Sequence, residues 1–218
     1  MSEHKRIGQY SETEEKVNII THASGLFLSV VALVLLVMRA LRYGDTLHVI
    51  TFTVFGLSMI LLYTSSTLYH SAKDITTRGK LQVFDHASIY VLIAGTYTPF
   101  TLIVLPGNLG WIMFGIIWTL ALGGVIIKLF FTGRFDLLLT IMYVALGWIV
   151  VIALKPLIAN LAIEGVILLF AGGIAYTLGA VIYGIKKIPG NHAIFHFFVL
   201  IGTLCHFLSI YFYVLPMK

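Results

Sequence analysis

The stretch LGWIMFGIIWTLALGGVIIKLF, residues 109–130, carries only one charged side chain, Lys128, in 22 positions. An α-helix needs about 20 mainly apolar residues to cross the hydrocarbon core of a bilayer, so this stretch predicts a membrane-spanning helix. The chain contains seven such runs, which lie near residues 17–41, 47–70, 81–104, 109–130, 136–155, 161–185 and 193–215. The sequence therefore predicts an all-α integral membrane protein, a seven-helix transmembrane bundle.

The composition supports the same fold class. Of 218 residues, 59% are hydrophobic and 11% are charged, and the mean hydropathy is +0.99. Soluble domains carry about 25% charged residues, and one of this length could not bury so much apolar surface. We expect a short cytoplasmic segment at 1–16 followed by a single transmembrane domain at 17–218. One cysteine, Cys205, excludes an intramolecular disulfide.

The distribution of Lys and Arg predicts the orientation, because basic residues favour the cytoplasmic side of a membrane. Ten basic residues fall on the side of the N-terminus and four on the other side. The ten are Lys5, Arg6, Lys16, Lys73, Arg78, Lys80, Lys128, Arg134, Lys186 and Lys187, and the four are Arg39, Arg42, Lys155 and Lys218. We predict a cytoplasmic N-terminus and an external C-terminus. Membrane orientation accounts for the net charge of +5, so nucleic acid is not expected as a partner.

Several polar side chains fall inside the predicted spans, where ionisable groups are costly and often functional. Span 2 ends with Ser66 and His70, and Asp85 lies in the first turn or so of span 3. Span 7 begins with His192 and His196, whose spacing of four places both imidazoles on one helix face. The predicted topology brings all five to one depth, in the cytoplasmic half of the bundle.

Three imidazoles and a carboxylate match a zinc site, in which a catalytic metal keeps one position for water. His70, His192 and His196 would be the ligands. Asp85 could bind the metal directly, or it could hold a water molecule and accept its proton, and Ser66 could orient Asp85 or the substrate. The predicted reaction is hydrolysis of an amide or ester bond in a lipid that enters from the membrane. A pair of histidines at this spacing also arises by chance, so the pattern alone leaves the metal open.

Polar residues continue deeper into the bundle. His206 lies ten residues after His196, about 15 Å further along the helix. Thr203 lies between them, and span 2 carries Tyr63 on the face of Ser66. These residues are consistent with a polar-lined cavity and equally with ordinary hydrogen bonds between helices.

Four motifs closely resemble the bacterial hemolysin III proteins over nearly the whole chain. They are THASG at 21–25, SSTLYH at 65–70, FDHASIYVLIAGTYTPF at 84–100 and HAIFH at 192–196. These proteins belong with the progestin and adiponectin receptor family, whose wider superfamily includes alkaline ceramidases.

The resemblance implies a seven-helix fold with a cytoplasmic N-terminus and a Zn²⁺ ion near the inner leaflet. It implies that His70, His192 and His196 hold the metal, and it places the aspartate and serine of the family at Asp85 and Ser66. The segment EEKVNIITH at 14–22 is also similar to the bacterial members. Glu15 and His22 are therefore expected near the site, without a defined role.

The leading hypothesis for function is a metal-dependent lipid hydrolase, ceramidase-like, in the bacterial plasma membrane. Membrane lipids are the expected partners. The resemblance to the hemolysin III proteins also implies that this protein serves membrane-lipid or energy homeostasis. The alternatives are a cytolytic pore-forming protein, as the family name indicates, and a receptor-like sensor with a structural zinc. A transporter is a third class of function, and it ranks below the others because transporters place ionisable groups near the bilayer midplane.

Overall fold

The computed structural model describes residues 10–131, 136–185 and 187–215. These residues are almost entirely helical and contain no strand. The α-helices are α1 (Glu12–Tyr43), α2 (Thr46–Ser71), α3 (Ile75–Pro99), α4 (Gly107–Phe130), α5 (Asp136–Gly147), α6 (Leu154–Asn160), α7 (Ile163–Gly184) and α8 (Asn191–Ser209). A π-helical turn, Phe100–Val104, extends α3, and a second, Ile210–Val214, extends α8. A 3₁₀ segment, Ile149–Ala153, joins α5 to α6.

Seven helical stretches of the described residues are long and apolar enough to cross a membrane, which confirms the predicted fold class. The seven are Glu12–Tyr43, Thr46–Ser71, Ile75–Val104, Gly107–Phe130, Thr140–Asn160, Ile163–Gly184 and Asn191–Val214. The predicted cytoplasmic segment 1–16 is only partly covered, because residues 1–9 lie outside the described ranges, as do the predicted connection 132–135 and the basic residues Arg134, Lys186 and Lys218.

Two helices begin earlier than the hydropathy predicts. α1 begins at Glu12, because the side chain of Ser11 accepts a hydrogen bond from the backbone N–H of Glu14. α3 begins at Ile75, because Asp74 accepts one from the backbone N–H of Thr77. Such caps satisfy free N–H groups at a helix start, so both helices extend into polar residues beyond the apolar run.

The seven spans form a ring in chain order. Each span packs against the next, and α8 returns to contact α1. Since consecutive spans run in opposite directions, the starts of α1, α3 and α8 lie at the same end of the bundle as the end of α2. The third span is the innermost: 72% of its most apolar window is buried, against 44% or less for the other spans described.

The outer surface of the ring is apolar. Large hydrophobic side chains point outward along the spans, including Phe27 (69% exposed), Leu41 (70%) and Ile152 (79%). Such a surface is costly in water and suited to lipid acyl chains. The protein is therefore a multi-pass membrane protein.

Two polar side chains stabilise irregular parts of the bundle. The hydroxyl of Tyr97 donates to the carbonyl of Gly147 at 2.7 Å and accepts from the N–H of Val150 at 2.9 Å, where α5 gives way to the 3₁₀ segment. At the end of the bundle far from the start of α1, Arg39 is buried and donates to the carbonyl of Leu215 at 2.6 Å. These three hydrogen bonds satisfy backbone groups for which lipid offers no partner.

Candidate metal centre

Three histidines meet at one end of the bundle. His70 lies in the last turn of α2, and His192 and His196 lie in the first two turns of α8. All three are buried, and each offers one ring nitrogen within 4.8 Å of the other two. Nε2 of His70 and Nε2 of His192 are 3.1 Å apart. The structure thus brings together the three residues that the sequence proposed as ligands, in a group that could hold a metal ion.

A glycine turn sets the residue at which α8 begins. Gly190, immediately before α8, has a φ of +67°, a left-handed conformation that glycine adopts without strain. The turn starts α8 at Asn191, so His192 enters in the first turn and His196 follows one turn later on the same face.

The outward-facing nitrogen of His70 is held by a carboxylate. Glu15, in the first turn of α1, places Oε2 2.7 Å from Nδ1 of His70, and its other oxygen accepts from Arg78 of α3. Asn18 lies further away, with its amide nitrogen 3.4 Å from Nδ1 of His70. A proton on Nδ1 directed at Glu15 leaves the lone pair of Nε2 available to a metal.

The other two histidines have analogous contacts. Tyr10, the residue before the N-cap of α1, places its hydroxyl 3.0 Å from Nδ1 of His192. Thr21 of α1 places its hydroxyl 3.5 Å from Nδ1 of His196. Burial raises the pKa of the Tyr10 phenol well above its ordinary value, so this group remains neutral and can accept a hydrogen bond from the ring of His192.

Asp85 is buried near this centre. The sequence placed it in the first turn or so of its helix, and that prediction is wrong. Because α3 begins at Ile75, Asp85 lies ten residues in, about 15 Å along the axis. Among the described residues, the close ligand group contains only the three histidines, and the carboxylate of Asp85 lies outside it. Asp85 lines the same cavity as His192 and His196.

Ser66 is fully buried in α2 and faces the carboxylate of Asp85. Its hydroxyl makes no hydrogen bond of normal geometry with any described group. A small adjustment would let it donate to Asp85, and the orienting role of Ser66 stays a prediction.

Lys128 is buried, which the sequence did not predict. The sequence placed it among the basic residues on the cytoplasmic face, but in the structure it is only 4% exposed and lines the cavity. It lies close enough to Asp85 for the two charges to interact. Lys128 is therefore a candidate site residue.

A fourth histidine packs against the group. His22 of α1 stacks on His196, with ring centroids 3.5 Å apart and planes 9° apart. It meets the ring of Tyr63 edge-on at 5.1 Å. Both of its ring nitrogens are buried without a hydrogen-bond partner among the described groups. His22 thus lies in contact with the site, as the resemblance implied.

The site lies at the wall of a cavity of about 1220 Å³. Apolar side chains such as Leu92 and Phe170 line much of it, and His206 lines its deeper part. Nε2 of His206 donates to the carbonyl of Leu169 at 3.0 Å. Thr203 accepts a hydrogen bond from Tyr63. The interpretation as hydrogen bonds between helices is therefore confirmed for these residues. A cavity is also present, but of the three only His206 lines it, and much of its lining is apolar rather than polar as predicted.

Several residues of the centre were not assigned a role from the sequence. Glu15, Asn18 and His22 follow one another at intervals of three and four, so they share one helix face, and this spacing could have identified them. Tyr10 precedes the helix, and no pattern in the sequence marks it.

The sequence is similar to known proteins over most of its length. A family profile described as "Haemolysin-III related" matches residues 10–207. The chain is 51% identical over 200 residues to the "Hemolysin-3 homolog" of Bacillus subtilis (strain 168), covering 92% of this chain and 94% of that one. It is 49% identical over 203 residues to "Hemolysin-3" of Bacillus cereus, covering 93% of each chain.

A more distant relative is the human "Monocyte to macrophage differentiation factor". It is 30% identical over 214 residues, covering 94% of this chain and 87% of that one. The resemblance predicted from the four motifs is confirmed over most of the chain.

Proposed function

The chain belongs to the haemolysin-III related family, and on that basis we propose that it is a zinc-dependent hydrolase that cleaves an amide or ester bond of a membrane lipid. The observation that carries the proposal is the buried group of three histidines beside a large cavity that Asp85 also lines. We place the protein in the bacterial cell membrane, where such an enzyme would serve membrane-lipid or energy homeostasis.

The donor set fits zinc. Zinc binds imidazole nitrogens at about 2.0–2.1 Å, and a tetrahedral arrangement then separates two ligand atoms by roughly 3.3 Å. The 3.1 Å between the Nε2 atoms of His70 and His192 is close to that spacing. Buried histidines whose other nitrogens contact Glu15, Tyr10 and Thr21 have the surroundings typical of metal ligands. Three protein ligands are characteristic of a catalytic zinc site.

The side chains around the ligands have distinct roles. A bound zinc ion would supply a Lewis acid for the substrate carbonyl and lower the pKa of a water molecule. Asp85, which lies outside the ligand group, accepts the proton of the attacking water at its carboxylate. Ser66 donates a hydrogen bond that orients this carboxylate, and Lys128 stabilises its negative charge.

The cavity favours a lipid as the substrate. Pockets for ordinary small molecules measure about 300–1000 Å³, and this one is larger, at about 1220 Å³. Its apolar lining would hold an acyl chain, while the polar groups at the end near α1 would hold the amide or ester bond. Ceramide-like lipids combine both features, so they are the first substrates to test.

The proposal is tested by turnover. Purified protein in liposomes, loaded with zinc, is given a panel of lipid amides and esters, including ceramides, and the products are identified by mass spectrometry. We expect release of a fatty acid from at least one lipid class. Removal of the metal by a chelator should abolish the release, and added zinc should restore it.

The name of the Bacillus cereus relative supports a second candidate, cytolysis. A pore former usually inserts from a soluble state, whereas the described spans present large apolar side chains on their outer surface. We therefore propose that any cytolytic effect arises from lipid products. If so, lysis of erythrocytes by the purified protein should depend on the three histidines, whereas lysis that survives their replacement would favour a pore.

A third candidate is a sensor in which the zinc is structural. The metal would then stabilise the bundle without turnover of any lipid. Metal content and product analysis together distinguish this candidate from the hydrolase.

A further inference from the structure

The groups that contact the outward-facing nitrogens of the three histidines come from one short segment. Tyr10 contacts His192. Glu15 contacts His70. Thr21 contacts His196. These three donors and acceptors span twelve positions, from the residue before the N-cap of α1 to its third turn, although the histidines themselves belong to α2 and α8.

We infer that this segment is the outer shell of the metal centre, with Glu15 as its main positioning residue. The inference rests on the proposed metal site and deepens it, because it assigns to α1 the control of metal affinity. Sequence motifs identify the ligands on α2 and α8, whereas the contacts in the structure identify what holds them.

Glu15 has the strongest position in the shell. Its carboxylate oxygen lies 2.7 Å from Nδ1 of His70, and its other oxygen pairs with Arg78 of α3. The guanidinium of Arg78 lies over the ring of Tyr69, 4.7 Å from its centroid, which restricts its movement. An anionic acceptor on Nδ1 fixes the tautomer and makes Nε2 a better donor to a metal.

Tyr10 and Thr21 make weaker contacts of the same kind. The hydroxyl of Tyr10 is a neutral acceptor for His192, and its ring packs against the imidazole with centroids 4.6 Å apart. The hydroxyl of Thr21 uses its hydrogen for the carbonyls of Val17 and Asn18 and lies 3.5 Å from Nδ1 of His196. We therefore expect the effects on metal affinity to decrease in the order Glu15, Tyr10, Thr21.

The test is the zinc affinity of the full chain in detergent, measured by titration against a competing chelator. Loss of an outer-shell partner typically weakens metal binding by about 10–100-fold, so Glu15→Gln should raise the Kd for zinc within that range. Tyr10→Phe should raise it by a smaller factor. Glu12→Gln is the matched control for the first change, because Glu12 is exposed in the same helical turn. Tyr43→Phe is the control for the second, because Tyr43 lies at the opposite end of α1.

A positioning role is separated from a structural one by the cobalt form. If Glu15 positions His70, the visible absorption bands of bound Co²⁺ should change in Glu15→Gln, while the melting temperature of the metal-free protein should not. If Glu15 only stabilises the fold, the melting temperature should fall and the cobalt spectrum of the folded protein should match that of the wild type.

The outcomes are distinguishable. If the wild type binds zinc and Glu15→Gln binds it equally well, the inference is wrong and the proposed metal site stands. If the wild type binds no zinc, the metal site itself is wrong. Should Glu15→Gln fail to fold, Arg78→Gln tests the same contact, because it releases the other oxygen of Glu15. Unchanged zinc affinity in both Arg78→Gln and Tyr10→Phe would also overturn the inference.

Discussion

At the scale of single residues, each of the three histidines of the candidate metal centre is needed for the proposed site. His70 reaches the centre from the end of α2, while His192 and His196 reach it from successive turns of α8. Each offers one nitrogen to the group, so the loss of any one leaves two donors. Two imidazoles hold zinc far more weakly than three, because each bond between zinc and an imidazole nitrogen contributes to the affinity.

We therefore predict that His192→Ala or His196→Ala loses most of the bound zinc, about one ion per chain in the wild type. The measurement is the metal content of purified protein by mass spectrometry. His86→Ala is the matched control: Nδ1 of His86 lies 2.6 Å from the carbonyl of Gln82, outside the ligand group, so this variant should keep the metal. Full zinc occupancy in the double variant His192→Ala/His196→Ala would contradict the assignment.

The sequence predicts which three histidines lie together, but it predicts their surroundings poorly. The spacing of His192 and His196 and the shared depth of His70 follow from helix geometry and span order. Lys128 shows the limit of such reasoning. Near the end of an apolar helix, a lysine is expected to extend towards the headgroups, yet here it is buried beside Asp85. The sequence alone does not show whether a side chain on a helix faces a cavity or the lipid.

At the scale of helices, hydropathy locates each span but not where its helix begins. α3 starts six residues before the predicted 81, at Ile75, because Asp74 caps it and polar residues continue it. The consequence for the site is a shift of Asp85 from the predicted first turn to the third. The break in the fifth span, between α5 and α6, was also not predicted, because its sequence is uniformly apolar.

The break in the fifth span leads to a prediction about stability. The hydroxyl of Tyr97 meets both the carbonyl of Gly147 and the N–H of Val150, so Tyr97→Phe leaves two backbone groups unsatisfied. Leaving a buried polar group without a partner costs about 1–3 kcal/mol. The melting temperature in detergent should fall, while the zinc content should stay unchanged, because Tyr97 lies about 18 Å along α3 from Asp85.

Tyr43→Phe removes a hydroxyl from a residue that is 45% exposed and should leave the melting temperature unchanged. A melting temperature of Tyr97→Phe equal to that of the wild type would show that the two bonds do not stabilise the break.

At the scale of the whole molecule, the spans close into a ring in which α8 contacts α1. The number of spans follows from the sequence, because each apolar run is separate. The contact between the first and last spans does not, since nothing in the sequence pattern pairs two distant helices. That closure is what brings Thr21 and His22 of α1 to His196 of α8.

The whole-molecule prediction concerns orientation. The excess of basic residues predicts a cytoplasmic N-terminus and an external C-terminus, and it persists without the buried Arg39 and Lys128. A fluorescent protein fused to the N-terminus should fluoresce, and alkaline phosphatase fused to the C-terminus should be active. A cytoplasmic C-terminus would contradict the orientation and would remove the argument that the metal centre faces the inner leaflet.

The central claim is that the metal centre is catalytic, and Asp85→Asn tests it most directly. This change keeps the size of the side chain and removes its ability to accept a proton. Asp45→Asn is the matched control, because Asp45 caps α2 at the opposite end of the bundle and asparagine caps a helix about as well. Zinc content and lipid products are measured on the same samples of wild type and both variants in liposomes.

We predict that Asp85→Asn keeps its zinc, because Asp85 lies outside the ligand group, while cleavage of lipid amides or esters falls by roughly 10²-fold or more, as expected for loss of a general base. Asp45→Asn should match the wild type in both measurements. Wild-type protein that carries a full complement of zinc and yet cleaves no lipid of a broad panel would contradict the account and favour a structural zinc in a sensor.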